Sequence, residues 1–256
     1  MNAKFEPTGS LPAQPPHPLL HAYYDDEAGR HRFLRRIFDE TAADYDRIER
    51  VLALGSGPWY RRMALQRAGL APGQRMLDVG IGTGLVAREA LTLLGGNGSV
   101  VGVDPSPGMM GQVDLPGVQL LQGRAEQLPC EDASFDFVCM GYALRHVGDV
   151  AAAFSEFLRV LRPGGRVLVL EISKPASRTA SWLLKAYMRA LVPLISRAIG
   201  CRRDSARLWR YYWDTIEACI PPRHILASLE AAGFTQVQRH VELGIFSEYT
   251  ATRPLQ

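Results

Sequence analysis

The chain has 256 residues, enough for one well-buried α/β domain with an added cap and marginal for two. At 47% hydrophobic and 21% charged it has the composition of an ordinary globular enzyme, and a net charge of +3 gives no global pull toward nucleic acid. Its cysteines, Cys130, Cys139, Cys201 and Cys219, form no C-x-x-C pair and cluster with no histidines, which argues against a metal site or a disulfide framework and for a reducing compartment.

Residues 1–21 carry Pro7, Pro12, Pro15, Pro16 and Pro18 and little that could pack, so they are expected to form a disordered tail. They hold no apolar leader, and no charge-free run in the chain approaches bilayer length, so a cytoplasmic location is expected. Residues 27–54 read as a helix on the spacing of Phe33, Leu34, Ile37 and Phe38, and Pro58 to Gly69 as a second. Short apolar strands then alternate with helices: Met76–Val79, Ser99–Asp104, Val118–Leu121, Phe135–Met140 and an apolar Arg166–Ile172. The helix from Asp149 to Leu161 stops at Arg162-Pro163-Gly164-Gly165. Residues 176–217 are again helical and too long for a crossover, so they are read as an inserted cap on a single domain spanning 22–256. After a helix from Pro222 to Ala232, Phe234–Leu243 and Ile245–Arg253 alternate as a hairpin around Gly244. The predicted fold is α/β: a Rossmann-like sheet of seven strands, mostly parallel, ending in an antiparallel pair, with N-terminal helices and a helical cap.

The segment richest in chemistry is Asp78-Val79-Gly80-Ile81-Gly82-Thr83-Gly84, where a strand runs into glycines and a helix follows. Glycines let the backbone approach a ligand, and the helix start offers free N–H groups to an anion. A pyrophosphate would be repelled by Asp78, whereas a ligand amino group needs such a partner. Asp104 ends the next strand, twenty residues after Gly84, where a carboxylate can accept ribose hydroxyls. Amino, carboxylate and ribose groups together describe S-adenosylmethionine. The dinucleotide pattern G-x-G-x-x-G is absent. Arg124-Ala125 after the third strand and Gly141 at the end of the fourth complete the expected cofactor site.

Several stretches resemble the ubiquinone/menaquinone biosynthesis C-methyltransferase family: the glycine loop, Ala125-Glu126-Gln127-Leu128-Pro129, Ala143-Leu144-Arg145-His146-Val147, the Arg162-Pro163-Gly164-Gly165 turn and Leu170-Glu171-Ile172-Ser173-Lys174-Pro175. The resemblance runs from about Phe38 to Arg253. It implies methyl transfer to a ring carbon of a prenylated quinol precursor, with Thr83, Asp104 and Arg124-Ala125 touching the cofactor and Arg145 helping to activate the acceptor. The chain departs from the family at His146 and Arg124, where asparagines are usual, at Gly141, where a serine is expected, and in a shortened segment after Asp104.

Carbon methylation of a phenol needs a proton removed and an oxyanion stabilised. Arg145 can hold the oxyanion and His146 can take the proton, with Tyr45 and Asp46 as further candidates. Each also has a structural reading: Arg145 as an ion-pair partner, His146 as a packing residue, Tyr45 and Asp46 as a lid. An O- or N-methyltransferase of another small molecule and a non-catalytic scaffold are the alternatives. The partner expected is an aromatic or quinol-like small molecule and no nucleic acid. In the cap, residues 181–199 are largely apolar with Lys185, Arg189 and Arg197, and Pro193 should kink them. This stretch is read as a lid over the site or a tunnel for a lipid-like tail, with a basic rim that can touch an anionic membrane.

Overall fold

The computed structural model describes residues 14–53, 55–198, 200–201 and 203–255. Seven strands, β1 (Arg75–Val79), β2 (Ser99–Asp104), β3 (Gln119–Gln122), β4 (Phe135–Gly141), β5 (Leu161–Ile172), β6 (Thr235–Glu242) and β7 (Phe246–Thr252), form one sheet in the order β3-β2-β1-β4-β5-β7-β6. β1 to β5 run parallel, and β7 is antiparallel to both β5 and β6. The strand order reverses between β1 and β4. That is the switch point where an open α/β sheet leaves a crevice at its carboxyl edge.

Alternation along the strands divides the core. Leu77 and Val79 of β1 face a cluster with α5 (Val150–Val160) and α9 (Pro222–Ala231), whereas Met76 faces α2 (Gly57–Arg67) and α3 (Leu85–Leu94). α5 forms because Asp149 caps the Ala151 and Ala152 amides and because Val150, Ala153, Phe154, Phe157 and Val160 fall on one buried stripe. Arg162-Pro163-Gly164-Gly165 does not precede the fifth strand, as the sequence suggested, but bulges within it. Phe135 pairs with Leu161 and Phe137 with Arg166, so the turn loops out of the ladder.

A third cluster lies above the crevice. α1 (Glu27–Leu52) packs on α8 (Arg203–Ala218), burying Phe33, Ile37, Ile48, Leu208, Tyr211 and Trp213. The expected cap folds as α6 (Arg178–Ala186), a π-helical turn (Tyr187–Leu191), α7 (Val192–Ala198) and α8; Ile199 lies outside the described residues. The distortion expected at Pro193 occurs one turn earlier. The Val192 amide bonds Tyr187 rather than the fourth carbonyl back, widening the helix just before the residue that has no N–H.

The expected tail is corrected for residues 14–21. Residues 1–13 lie outside the described residues, but Gln14, Pro16 and His17 are tied to the body. Gln14 O accepts the Val150 amide at 2.9 Å and Pro16 O accepts the Ile220 amide at 2.7 Å. Gln14 N donates to Asp149, and its side chain accepts from Ser228 Oγ at 2.8 Å. Prolines offer carbonyls without amides, so an extended proline strap suits a surface that presents spare N–H groups such as the first turn of α5. His17, to which the sequence assigned no role, is buried close to Arg145 and His146.

Candidate active site

A cavity of about 920 Å³ occupies the crevice between the sheet edge and the α1, α8 and cap layer. Ligand sites run to about 300–1,000 Å³, so it is large enough for two molecules side by side. Gly80, Gly82, Thr83, Asp104, Arg124, Ala125 and Gly141 line one end, and Tyr45, Arg145 and His146 the other.

At the first end, Gly80, Gly82 and Gly84 all take positive φ, and a Cβ on Gly80 would stand 2.7 Å from that of Ala143. Only glycine lets the loop lie this close to the end of β4. Asp104 is held from below: its Oδ2 accepts the Gly82 amide at 2.9 Å and its Oδ1 the Ser106 amide at 2.8 Å. Burial raises its pKa to about 6 while those two amides hold it back. The carboxylate keeps lone pairs free toward the cavity it lines, as ribose hydroxyls require. Arg124 pairs with Glu126 at 3.3 Å, and Glu126 also accepts the Gly148 amide, tying the turn after β3 to the segment after β4. At Gly141 a Cβ would meet Val86 at 2.6 Å, so β4 and α3 come too close for the serine usual in the family.

Asp78 and Gly84 do not line the cavity. Period-two alternation turns Asp78 to the α2 and α3 side, beneath the glycine loop, and Gly84 serves as the N-cap of α3 in the left-handed region. Asp78 is 1% exposed, its oxygens make no well-formed hydrogen bond, and burial pushes its pKa up to about 7 against the pull of the Ala87 amide. α1 closes over this end. Thr83 Oγ1 donates to Asp46, and Asp39 Oδ1 accepts Ser106 Oγ at 2.6 Å and the Gly108 amide at 2.8 Å. Asp46 therefore acts as a lid contact.

At the second end, a 3-10 turn (Leu144–His146) follows β4. Arg145 is fully buried, its Nη1 bonded to Glu171 Oε2 at 2.6 Å and its guanidinium 4.8 Å from the centre of the Tyr212 ring. Its Nε has no partner. His146 is stacked between Tyr211 and Tyr212, with ring centres 5.6 and 5.5 Å away, and its Nδ1 lies 3.5 Å from Tyr211 Oη. Burial, together with the Arg145 charge, holds its pKa well below that of a free imidazole, so the ring is neutral, and Nε2 has no partner. Tyr45 accepts a hydrogen bond from Tyr212 at 3.1 Å and stacks on Trp209. Burial raises the pKa of both phenols, which stay protonated.

The sequence placed Glu126 in the cofactor pocket after the third strand, where it lines the cavity, but left Glu171 and Tyr212 without a role. Glu171 was visible as the lone acid in the apolar stretch after Arg166, and a buried carboxylate in such a strand needs a cationic partner. Tyr142 also went unnoticed; it sits at φ 60°, a strained value for a non-glycine, directly after β4.

A parallel sheet with this strand order, a glycine turn under the crevice and a free-faced carboxylate on β2 make a methyltransferase cofactor site, and the sequence profile of the ubiE/COQ5 methyltransferase family matches residues 26–253. The chain belongs to that family. A demethylmenaquinone methyltransferase of Mycobacterium sp. strain KMS is 34% identical over 219 residues, 85% of this chain and 93% of the relative. A ubiquinone/menaquinone biosynthesis C-methyltransferase of Pseudomonas putida F1 is 32% identical over 248 residues, 93% of this chain and 96% of the relative. Among solved structures, a SAM-dependent methyltransferase from Aquifex aeolicus superposes with a TM-score of 0.59 at 19% identity, covering 81% of this chain and 97% of that one. One from Thermotoga maritima, described as a possible histamine N-methyltransferase, gives 0.60 at 21%, covering 85% and 99%. The protein is thus a methyltransferase with S-adenosylmethionine as its cofactor. The glycine cradle and Asp104 fit that group: the loop admits no side chain, and Asp104 presents its unpaired lone pairs.

Proposed function

We propose that this methyltransferase alkylates a ring carbon of a phenolic or quinol-like aromatic acceptor. The observation that carries the reading is the placing of a permanent cation, Arg145, beside a neutral imidazole with an unpartnered nitrogen, His146, in one aromatic-walled end of the cavity. The cofactor supplies a methyl group that is already electrophilic. The chain's own task is to align the acceptor, exclude water and raise the nucleophilicity of a ring carbon. Arg145 lowers the pKa of an acceptor hydroxyl and holds the phenolate formed, in a setting where water does not compete. His146 accepts the proton, since a neutral imidazole offers one lone pair and its other nitrogen faces Tyr211 Oη. Tyr45, a protonated hydroxyl, positions Tyr212 rather than acting as the base.

With methyl-labelled cofactor and a panel of hydroquinones and naphthoquinols, the label is expected on carbon in the product's NMR spectrum. His146→Ala is expected to lower turnover by about 10²–10⁴-fold with cofactor affinity unchanged. A labelled O-methyl or N-methyl product, or full activity in the variant, would overturn the assignment.

The cap supports an acceptor with an apolar tail. Leu184, Tyr187 and Met188 line the cavity, while Trp182, Leu183, Leu191 and Leu194 stand outside it, exposed. The expected basic rim is largely paired, Lys185 with Glu217 at 3.1 Å and Arg189 with Asp214 at 3.6 Å. We infer that the cap rests on a lipid surface through its apolar residues rather than its charges. Co-sedimentation with neutral phospholipid vesicles is then expected, with little gain from anionic lipid and a loss in Trp182→Ala/Leu183→Ala. A protein that stays in solution at every lipid composition contradicts this.

A further inference from the structure

Beyond the glycine loop and Asp104, one charged pair in the cavity wall has no part in the acceptor chemistry. Glu49, near the end of α1, and Arg61, on α2, bond to each other, are 20% and 4% exposed in their side chains, and both line the cavity. Their position along the sheet edge follows from what they influence. Both share the cavity wall with Gly80 of the glycine loop and with Tyr142; Arg61 and Glu49 are the leading charges acting on the Tyr142 phenol, and the Arg61 charge also reaches Asp78. Tyr142 follows the end of β4, and Asp78 lies in β1 beneath the glycine loop. The pair therefore faces the β1–β4 boundary, the switch point itself.

The other cavity cations lie elsewhere. Arg124 follows β3, Arg35 stands by Asp39 on α1, and Arg145 lies in the turn after β4 beside His146, at the end read as the acceptor's. Asp104, at the end of β2, takes the ribose, so the amino-acid end of the cofactor extends away from β3 toward β1 and β4. That end is a zwitterion, with one ammonium and one carboxylate.

We propose that Glu49 and Arg61 form a zwitterion clamp, Arg61 taking the α-carboxylate and Glu49 the α-ammonium of the cofactor. Insertion of a zwitterion leaves the net charge of the site at zero and gives each of the four charges a second opposite neighbour, which suits a poorly hydrated wall. A guanidinium is the cation of choice, since its fork can bond two carboxylates in one plane. The pair is also boxed in. A Cβ on Gly57 would come within 2.5 Å of Glu49 Oε1 and 2.9 Å of Arg61 Nη1, so the start of α2 presses its backbone against both side chains and holds them at the wall. This assignment rests on the cofactor's identity and is independent of the acceptor.

The test crosses protein variants with truncated ligands in titration calorimetry. The ligands are S-adenosylhomocysteine, its decarboxylated and deaminated analogues, and 5′-methylthioadenosine, which lacks the amino-acid end. Arg61→Met is expected to bind S-adenosylhomocysteine about 10–100-fold more weakly than the unaltered protein, the range of one charged hydrogen-bonded contact, and methylthioadenosine equally well. Removing the ligand's carboxylate should then cost the variant little. Arg61→Lys keeps the charge without the fork and is expected to lose about tenfold for S-adenosylhomocysteine alone. Glu49→Gln should mirror this toward the deaminated analogue. Equal losses for S-adenosylhomocysteine and methylthioadenosine in the lysine variant, or no loss for either, would show that the pair only ties α1 to α2.

Discussion

Glu171→Ala is expected to lower the unfolding free energy by about 3–5 kcal/mol, the cost of leaving one member of a buried ion pair without its partner. Arg145 and Glu171 are 2% and 4% exposed in their side chains, and the guanidinium cannot neutralise itself by losing a proton. Besides Nη1, Glu171 also receives the Arg145 amide at 3.4 Å, so the change frees a backbone donor as well. For a domain of this size a loss of that order is a fall of roughly 6–20 °C in the thermal midpoint. The informative companion is Arg145→Met/Glu171→Met, which removes both charges and fills the space. It is expected to regain most of the lost stability, as buried pairs replaced by apolar side chains commonly do, while showing no turnover. Thermal melts and turnover on the same preparations separate the two roles of the pair. A double variant as unstable as the single one would mean that the pair contributes more than its charges. An active one would remove Arg145 from the chemistry.

The second large effect is expected at Asp104. Asp104→Ala removes the acceptor of two loop amides and, on the reading proposed here, of the ribose hydroxyls, and S-adenosylhomocysteine is expected to bind about 10²–10³-fold more weakly, the sum of two charge-assisted hydrogen bonds. A deoxyribose analogue should lose affinity for the unaltered protein and little more for the variant. The same carboxylate gives the site a pH dependence. Its pKa of about 6 in the folded protein stands above its unfolded value, so the ligand-free fold holds a proton that the unfolded chain has released, and stability falls as pH rises between about 4 and 6. Binding runs the other way, because ribose hydroxyls donate to the ionised form. Affinity is therefore expected to drop about tenfold from pH 7 to pH 5 and to level off above 7. Asp104→Asn should flatten that profile. An unchanged slope would assign the dependence to Asp78, whose pKa of about 7 lies in the same window.

Much of this site was legible before the fold was known, because its signals are local. A strand entering glycines and a valine-rich strand ending in Asp104 each state their geometry within ten residues, and the loop and Asp104 stand where that geometry puts them. Asp78 shows the limit of such reading. Its place in the motif pointed to the ligand, yet alternation along β1 sends its side chain to the opposite face from Val79. What stayed hidden depends on partners far along the chain. Arg145, just past β4, finds Glu171 on the neighbouring β5, and Tyr212 reaches Tyr45 from a helix 167 residues later. The proline strap was misread for a related reason: composition reports that a segment cannot build its own core, not that another element has amides to offer it.

That strap also bears on the order in which the protein assembles. Gln14 and Pro16 leave the ribosome early, but their partners Asp149, Ile220 and Ser228 are made much later, Ser228 after a delay of 214 residues. The glycine loop and Asp104, by contrast, lie within one contiguous stretch and can pair as soon as β1 and β2 emerge. Synthesis from the N-terminus therefore lays down the cofactor half of the cavity first and closes the Arg145 and His146 half only once α8 and α9 exist. Contacts of such long sequence separation are the slow ones in folding, so the chamber proposed for the acceptor is the last part of this enzyme to come into being.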